Sequence, residues 1–345
     1  MLDYLLVGFG LAGASLAHRL ENRNKRFLVF EDQSYHSSTV AGGLYNPLIL
    51  KRFTLAWNAE EQLRVAIDFY KSLEEKLALS FQKEIPIHRK FHSIEEQNNW
   101  FEAADKPGLN SFLNTQPVSA HKNIPAQYQF GIVNQTGIVD LPKMLNSYST
   151  YLRATKKIQH ETFDYTLLEI KEESINYKNH TAKGIIFCEG FGLKQNPFFN
   201  YLPMTGTKGE FISIKSPALQ LKEVIKSSIF IIPQGKDIYK VGATYDWEDK
   251  SQHTTEKARQ ELVSKLKQLI SCEFEIIDQS AGIRPTVIDR RPLVGRHPRY
   301  KNLYVCNGFG TRGVMVAPTV SKQLVEFMEE KKPLPHEIDI LRFEK

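Results

Sequence analysis

The chain predicts an α/β fold, in which a Rossmann-like dinucleotide-binding domain is interleaved with an α+β domain built on a mainly antiparallel sheet. Three observations carry that expectation. Near the amino terminus a strand, a G-x-G-x-x-G turn, a helix and a second strand follow one another in the register of a βαβ unit. Over residues 207–247 apolar and polar residues alternate, as in antiparallel strands buried on one face. Near the carboxy terminus a second G-x-G-x-x-G stands between an apolar strand and a helix.

Residues 3–7 form the first strand, Gly8-Phe9-Gly10-Leu11-Ala12-Gly13 the turn, and residues 14–20 open the helix. Gly8 permits the tight turn, Gly10 lets backbone N–H groups approach a pyrophosphate, and Gly13 lets the helix pack closely on the strand. The helix start offers free N–H groups and the positive end of a dipole, which together attract phosphate. Residues 26–30 are a second strand ending on Glu31 and Asp32. Glu31 lies 18 positions beyond Gly13, where a carboxylate can accept both hydroxyls of an adenosine ribose and would repel the 2′-phosphate of NADP. The apolar run is not read as a secretory signal, because no basic segment precedes it and three glycines interrupt it.

At 345 residues the chain exceeds the usual size of a single core, so two domains are expected. Residues 1–83, 135–205 and 280–345 are assigned to the nucleotide domain, and 84–134 and 206–279 to the substrate domain. Hydrophobic residues make up 41% and charged ones 24%, the balance of a soluble globular protein, and no stretch approaches the ~20 apolar residues of a membrane span. Cys188, Cys272 and Cys306 are odd in number and lack a C-x-x-C spacing. Neither a disulfide framework nor a metal site is therefore expected, and a reducing, cytoplasmic setting is. The formal charge of +6 permits an anionic substrate or a nucleic acid without requiring either.

Beyond Asp32 the stretch 34–47 is polar and rich in small residues; Ser37, Ser38, Gly42, Gly43 and Leu44 suit a second length of cofactor contact, with a plain surface loop as the alternative. Residues 56–79 carry apolar positions at helical spacing. Over 84–134, Pro86, Pro107, Pro117 and Pro125 mark short strands and loops and a departure into the second domain. Asp140 is placed to cap a helix running to about residue 154. Strands at 165–170 and 174–177 precede a buried strand, 184–188, that runs into Glu189-Gly190. Strands at 210–214, 228–233 and 238–245, a helix at 255–270 and a strand at 274–277 complete the antiparallel portion.

The strand 302–307 leads into Gly308-Phe309-Gly310-Thr311-Arg312-Gly313 and a helix over 314–330. No second strand with a ribose-binding acid follows, so an independent nucleotide site is not expected there. The helix start is expected to face the redox end of the dinucleotide held by the first turn, stabilising negative charge by ~0.5–2 kcal/mol.

With Gly242-Ala243-Thr244, Ala281-Gly282-Ile283-Arg284-Pro285, Asp289, Pro292 and Ala317-Pro318, these motifs give an ordered set that resembles the D-amino-acid oxidase superfamily of FAD-dependent oxidoreductases. Glycine oxidase and sarcosine oxidase belong to it, as does the FAD module of the bifunctional enzyme that matures 5-methylaminomethyl-uridine in tRNA. The resemblance spans nearly the whole chain and is least over 84–134. It implies FAD held by the two glycine turns, Glu31, Asp32, the 37–44 stretch, Gly190 and Val314. The FAD is expected to be non-covalent, since residues that attach flavin covalently in one subgroup are not found in matching positions. It further implies that Arg284 is similar to the arginine that holds a substrate carboxylate, with Arg312 and Tyr245 in the same pocket. On the residues alone, Arg284 equally suits an ion pair with Asp289, and Tyr245 ordinary sheet packing.

The implied activity is oxidation of a C–N bond in a small amine or amino acid by hydride transfer to flavin N5. That step needs no acid–base residue, in keeping with the lack of a histidine or paired-carboxylate constellation. One alternative is removal of a carboxymethyl group from a tRNA wobble uridine, for which Arg284, Arg290, Arg291, Arg296, Arg299 and Lys301 form a basic run; a solvated loop is its plainer reading. Another is a flavin- or NAD-binding module without catalysis.

Overall fold

The computed structural model describes residues 1–32 and 37–344. Its first sheet has eight strands. Leu2–Val7 lies between Phe27–Phe30 and His180–Phe187, parallel to both, with Leu6 opposite Val29 and Ile186. Leu2–Val7, Phe27–Phe30 and the 184–187 end of the third strand are almost continuously apolar and buried, the composition that parallel strands covered on both faces require. Leu303–Asn307 pairs in parallel with the carboxy-terminal half of His180–Phe187, so the two strands that end in glycine turns are separated by one strand. Helices Leu11–Glu21, Ala59–Leu77 and Gly313–Glu330 pack together on one face, and Tyr70 donates a hydrogen bond to the carbonyl of Val314 at 2.7 Å.

The second sheet has seven strands, in the order Glu275–Arg284, Thr207–Lys215, Ile238–Gly242, Phe230–Gly235, Val224–Lys226, Ile87–Lys90 and Phe130–Val133. All neighbours are antiparallel except Val224–Lys226 and Ile87–Lys90. Helix Glu256–Lys267 buries Leu262 and Leu266 against Ile212, Ile214 and Val241 on one face. The opposite face, carrying Phe211, Phe230 and Ile232, turns toward the first sheet's core.

Several elements differ from expectation. The segment 84–134 contains a helix, Ile94–Ala104, whose Ser93 Oγ accepts the N–H of Glu96 at 3.0 Å. The long helix is shorter at both ends, Ala59–Leu77. The stretch after Asp32 contains one helical turn, Ser37–Val40, and a strand, Leu44–Tyr45, while residues 33–36 lie outside the described residues. Glu275–Arg284 carries the second sheet's pairing four residues past the boundary drawn at 280. No described helix is long and apolar enough to cross a membrane.

Candidate cofactor and substrate site

A cavity of about 850 Å³ is lined from both sheets, within the size range of ligand sites. Gly8, Gly10, Leu11 and Ala12 line it from the first glycine turn, Gly310, Thr311, Arg312, Gly313 and Val314 from the second. The two turns thus share one cleft. Glu31, Asp32, Ser37, Ser38, Gly42, Gly43, Leu44 and Gly190 also reach it, as do Tyr245 and Arg284 from the antiparallel sheet.

Gly13 and Gly308, expected among the cofactor contacts, do not line the cavity. A Cβ on Gly13 would lie 2.0 Å from the carbonyl oxygen of Gly8, so its work is the close packing of helix on strand. Gly308 adopts φ +78° with its back to Val287 and Leu293, and shapes its turn from behind.

The lining suits a phosphate-bridged ligand. Helices Leu11–Glu21 and Gly313–Glu330 begin without a side-chain cap, whereas Ser93, Asp140 and Thr255 cap three other helices. Uncapped starts leave N–H groups and a positive dipole end toward the cavity. Leu11 N–H is the exception, donating to Ser38 Oγ at 3.1 Å and fixing the 37–40 turn against the first helix. Glu31 Oε2 accepts the N–H of Phe9 at 2.5 Å, which ties the tip of the second strand to the glycine turn. Glu189, a second acid at a strand tip, accepts from Asn196 at 2.7 Å and from the Tyr165 hydroxyl; burial pushes its carboxyl up to about 7. The sequence reading carried Gly190 forward as a site residue and not Glu189, although Glu189, like Glu31, is an acid just beyond the end of an apolar strand of the first sheet.

At the other end stand the arginines. Arg284 donates to the carbonyls of Thr244 and Lys208 at 3.3 Å, and its guanidinium lies 4.5 Å from the Tyr245 ring centroid. It needs the absence of a side chain at Gly209, where a Cβ would lie 2.0 Å from Nη2. Arg312, just before the last helix, donates to the carbonyls of Asn46 and Leu48 at 2.8 and 2.9 Å. Among the described residues no carboxylate comes within ion-pairing distance of either guanidinium. The expected alternative partner, Asp289, instead pairs with Arg342 at 2.8 Å. Nor is Tyr245 sheet packing: it stands beyond the end of its strand, 62% exposed.

Two lysines escaped the sequence reading. Lys226 lines the cavity with its ammonium 4.5 Å from the Phe230 ring centroid, and burial lowers it to about 8. Lys240, lowered to about 8 by the same cause, donates to the carbonyl of Ala41 at 3.3 Å and ties the second sheet to the 41–43 segment. The basic run disperses: of its six members only Arg284 lines the cavity, Arg291 stacks on Trp57, and Lys301 pairs with Glu173 at 2.6 Å. The thiols of Cys188 and Cys306 are buried and pushed up, which removes both as nucleophiles.

A mixed sheet whose parallel strands lead into two glycine turns on one cleft, closed by a mainly antiparallel sheet, defines an α/β dinucleotide-binding protein. The family follows from comparison. The profile of the FAD dependent oxidoreductase family designated DAO matches residues 3–327, and the chain belongs to that family. FAD is the cofactor this membership implies. Glycine oxidase of Geobacillus kaustophilus is 22% identical over 96% of this chain and 93% of its own length. The tRNA 5-methylaminomethyl-2-thiouridine biosynthesis bifunctional protein of Legionella pneumophila is 23% identical over 95% of this chain, which spans only 54% of that protein. The crystal structure of the Geobacillus glycine oxidase superposes with a TM-score of 0.79 at 19% identity, covering 96% of this chain and 95% of that one. The two share the fold of a mixed nucleotide-binding sheet facing an antiparallel one.

Proposed function

We propose that this protein oxidises the C–N bond of a small amine or amino acid. When bound, non-covalent FAD supplies the acceptor for the hydride that leaves the substrate carbon. The observation that carries the reading is the pair of guanidinium groups, Arg284 and Arg312, in the same cleft as both glycine turns and without a carboxylate partner among the described residues. Arg284 carries a planar guanidinium, its carbon 4.5 Å from the Tyr245 ring centroid, and that planar fork is the group that suits a carboxylate bidentately. Arg312 adds positive charge to the cleft, which lowers the pKa of a substrate ammonium and favours the neutral amine from which hydride departs. No histidine is among the described lining residues, and hydride departure from the neutral amine does not itself require a dedicated base.

A second reading, removal of a carboxymethyl group from a tRNA wobble uridine, is favoured by Tyr245, which lines the cavity and is 62% exposed, and by Trp247 two residues further on, 56% exposed. Such faces stack nucleobases. The likeness to half of the bifunctional tRNA-modifying protein supports it as well. The dispersal of the basic run weighs against it.

The deciding experiment is a visible spectrum of the purified protein followed by anaerobic titration with an amine panel and with bulk tRNA. Bleaching of the flavin by glycine, sarcosine, proline or a related amine supports the first reading. Salt-sensitive binding of tRNA, with bleaching only by tRNA carrying the carboxymethyl group, replaces it with the second. A flavin that neither can bleach leaves a non-catalytic binding module.

A further inference from the structure

The antiparallel sheet presents a row of directly opposed residues to the cavity. Lys226 faces Phe230, Phe230 faces Gly242, and Gly242 faces Phe211. Directly opposed residues share a face, and Lys226, Phe230 and Phe211 all line the cavity. Gly242 makes room in this row, since a Cβ there would lie 2.3 Å from the Phe211 ring. Phe211 also faces Ser280, and from Ser280 the alternation of the last strand places Gly282 and Arg284 on the same side. The sheet therefore offers an apolar floor with a cation at either end. Four strand spacings, and an offset along the last strand from Ser280 to Arg284, separate the two residues, so their Cα atoms lie roughly 23 Å apart and the long side chains close much of that span.

Lys226 is the less satisfied of the two cations. Its ammonium has the Phe230 ring and a single hydrogen bond at 3.5 Å, to the carbonyl of Ser228. Among the described residues no carboxylate lies within ion-pairing distance, and the charges acting on it, Arg89 and Lys265, are both positive. The other buried lysines differ. Lys208 pairs with Asp249 at 2.5 Å, and Lys240 sits in the fields of Asp278 and Asp140. A half-buried cation without an anion is costly unless something arrives to neutralise it. The phosphates attracted by the first glycine turn belong to the opposite sheet.

We infer that Lys226 is a specificity-determining residue that receives a second anionic group of the substrate, remote from the carboxylate held by Arg284. The substrate class is accordingly an elongated amine with two acidic ends, its middle lying on Phe211 and Phe230. The inference rests on Arg284 being the carboxylate anchor proposed above.

The test uses the FAD-loaded protein and two non-reacting probes of equal length, suberate and octanoate, titrated against the flavin absorbance. Suberate is expected to bind at least about tenfold more tightly, the size of one charge-assisted contact. That ratio falls to about one in Lys226→Met and survives in Lys226→Arg. Equal binding of the two acids to the unaltered protein overturns the inference, as does a Lys226→Met protein that weakens both alike and keeps the ratio. Binding of neither acid removes Arg284 as anchor and the inference with it. Anaerobic bleaching by amines is read separately. A Lys226-dependent preference without bleaching keeps this inference and removes the proposed oxidation; bleaching without the preference does the reverse.

Discussion

Gly209 and Arg284 are a matched pair, one side chain occupying the space the other lacks. A methyl group at Gly209 would stand 2.0 Å from Nη2, so Gly209→Ala is expected to swing the guanidinium off Tyr245 and weaken octanoate binding by about tenfold or more, with little change in folding stability. Absorbance titration and thermal unfolding of the same sample check both halves; unchanged affinity would show that Arg284 is not the anchor. Lys226 supplies a second prediction at this scale. Burial lowers it to about 8, so the cationic form prevails below that pH and is lost above it. Preference for suberate over octanoate should be full near pH 6.5 and fade as the pH rises through about 8, the bound dianion moving the midpoint upward. Arg284 was legible in the sequence because it sits in a recognisable motif. Lys226 was not, since only the strand register shows that it shares a face with Phe211 and Phe230, and register between segments distant in sequence leaves no local trace.

Three helices cap their own starts, whereas the two behind the glycine turns open onto the cleft. Ser93 caps its helix, its Oγ accepting the N–H of Glu96, while Glu96 Oε2 reaches back to accept the N–H of His92, the residue before the cap. Ser93→Ala should cost about 1 kcal/mol of stability, measured by denaturant unfolding, and leave flavin content unchanged. Gly13→Ala should do far more: its Cβ would strike the Gly8 carbonyl at 2.0 Å and push the first helix off the strand that positions its start. Flavin is expected to be lost on purification, and retention of full flavin would contradict this account of the turn. The Ser93-x-x-Glu96 spacing was readable as a helix start, yet four prolines around it spoke more loudly for strands and loops. The glycine turns, by contrast, were legible as elements because strand, turn and helix all lie within a few residues of one another. The parallel pairing of Val224–Lys226 with Ile87–Lys90 joins segments more than a hundred residues apart, and no pattern within either segment announces it.

At the scale of the molecule the cleft is also a seam. Residues of both sheets line it, and the direct ties across it include Lys240 to the carbonyl of Ala41 and the close approach of Gly282 to Ser37 and Val40. The loop beyond Gly242 is in turn held by a salt bridge, Lys208 to Asp249, whose lysine is 1% exposed. A ligand filling the seam touches the first glycine turn, the second glycine turn and the antiparallel sheet at once, so it joins parts that unfold separately only if the seam opens. Because such a ligand binds the native state and not the unfolded chain, it stabilises by RT ln(1 + [L]/Kd), about 2.7 kcal/mol at a hundredfold excess over Kd. Thermal unfolding of flavin-stripped protein at graded FAD should therefore shift upward with the logarithm of FAD concentration. A melting temperature indifferent to FAD would mean that the two glycine turns do not grip one ligand, and the assignment of the cleft would fall with it.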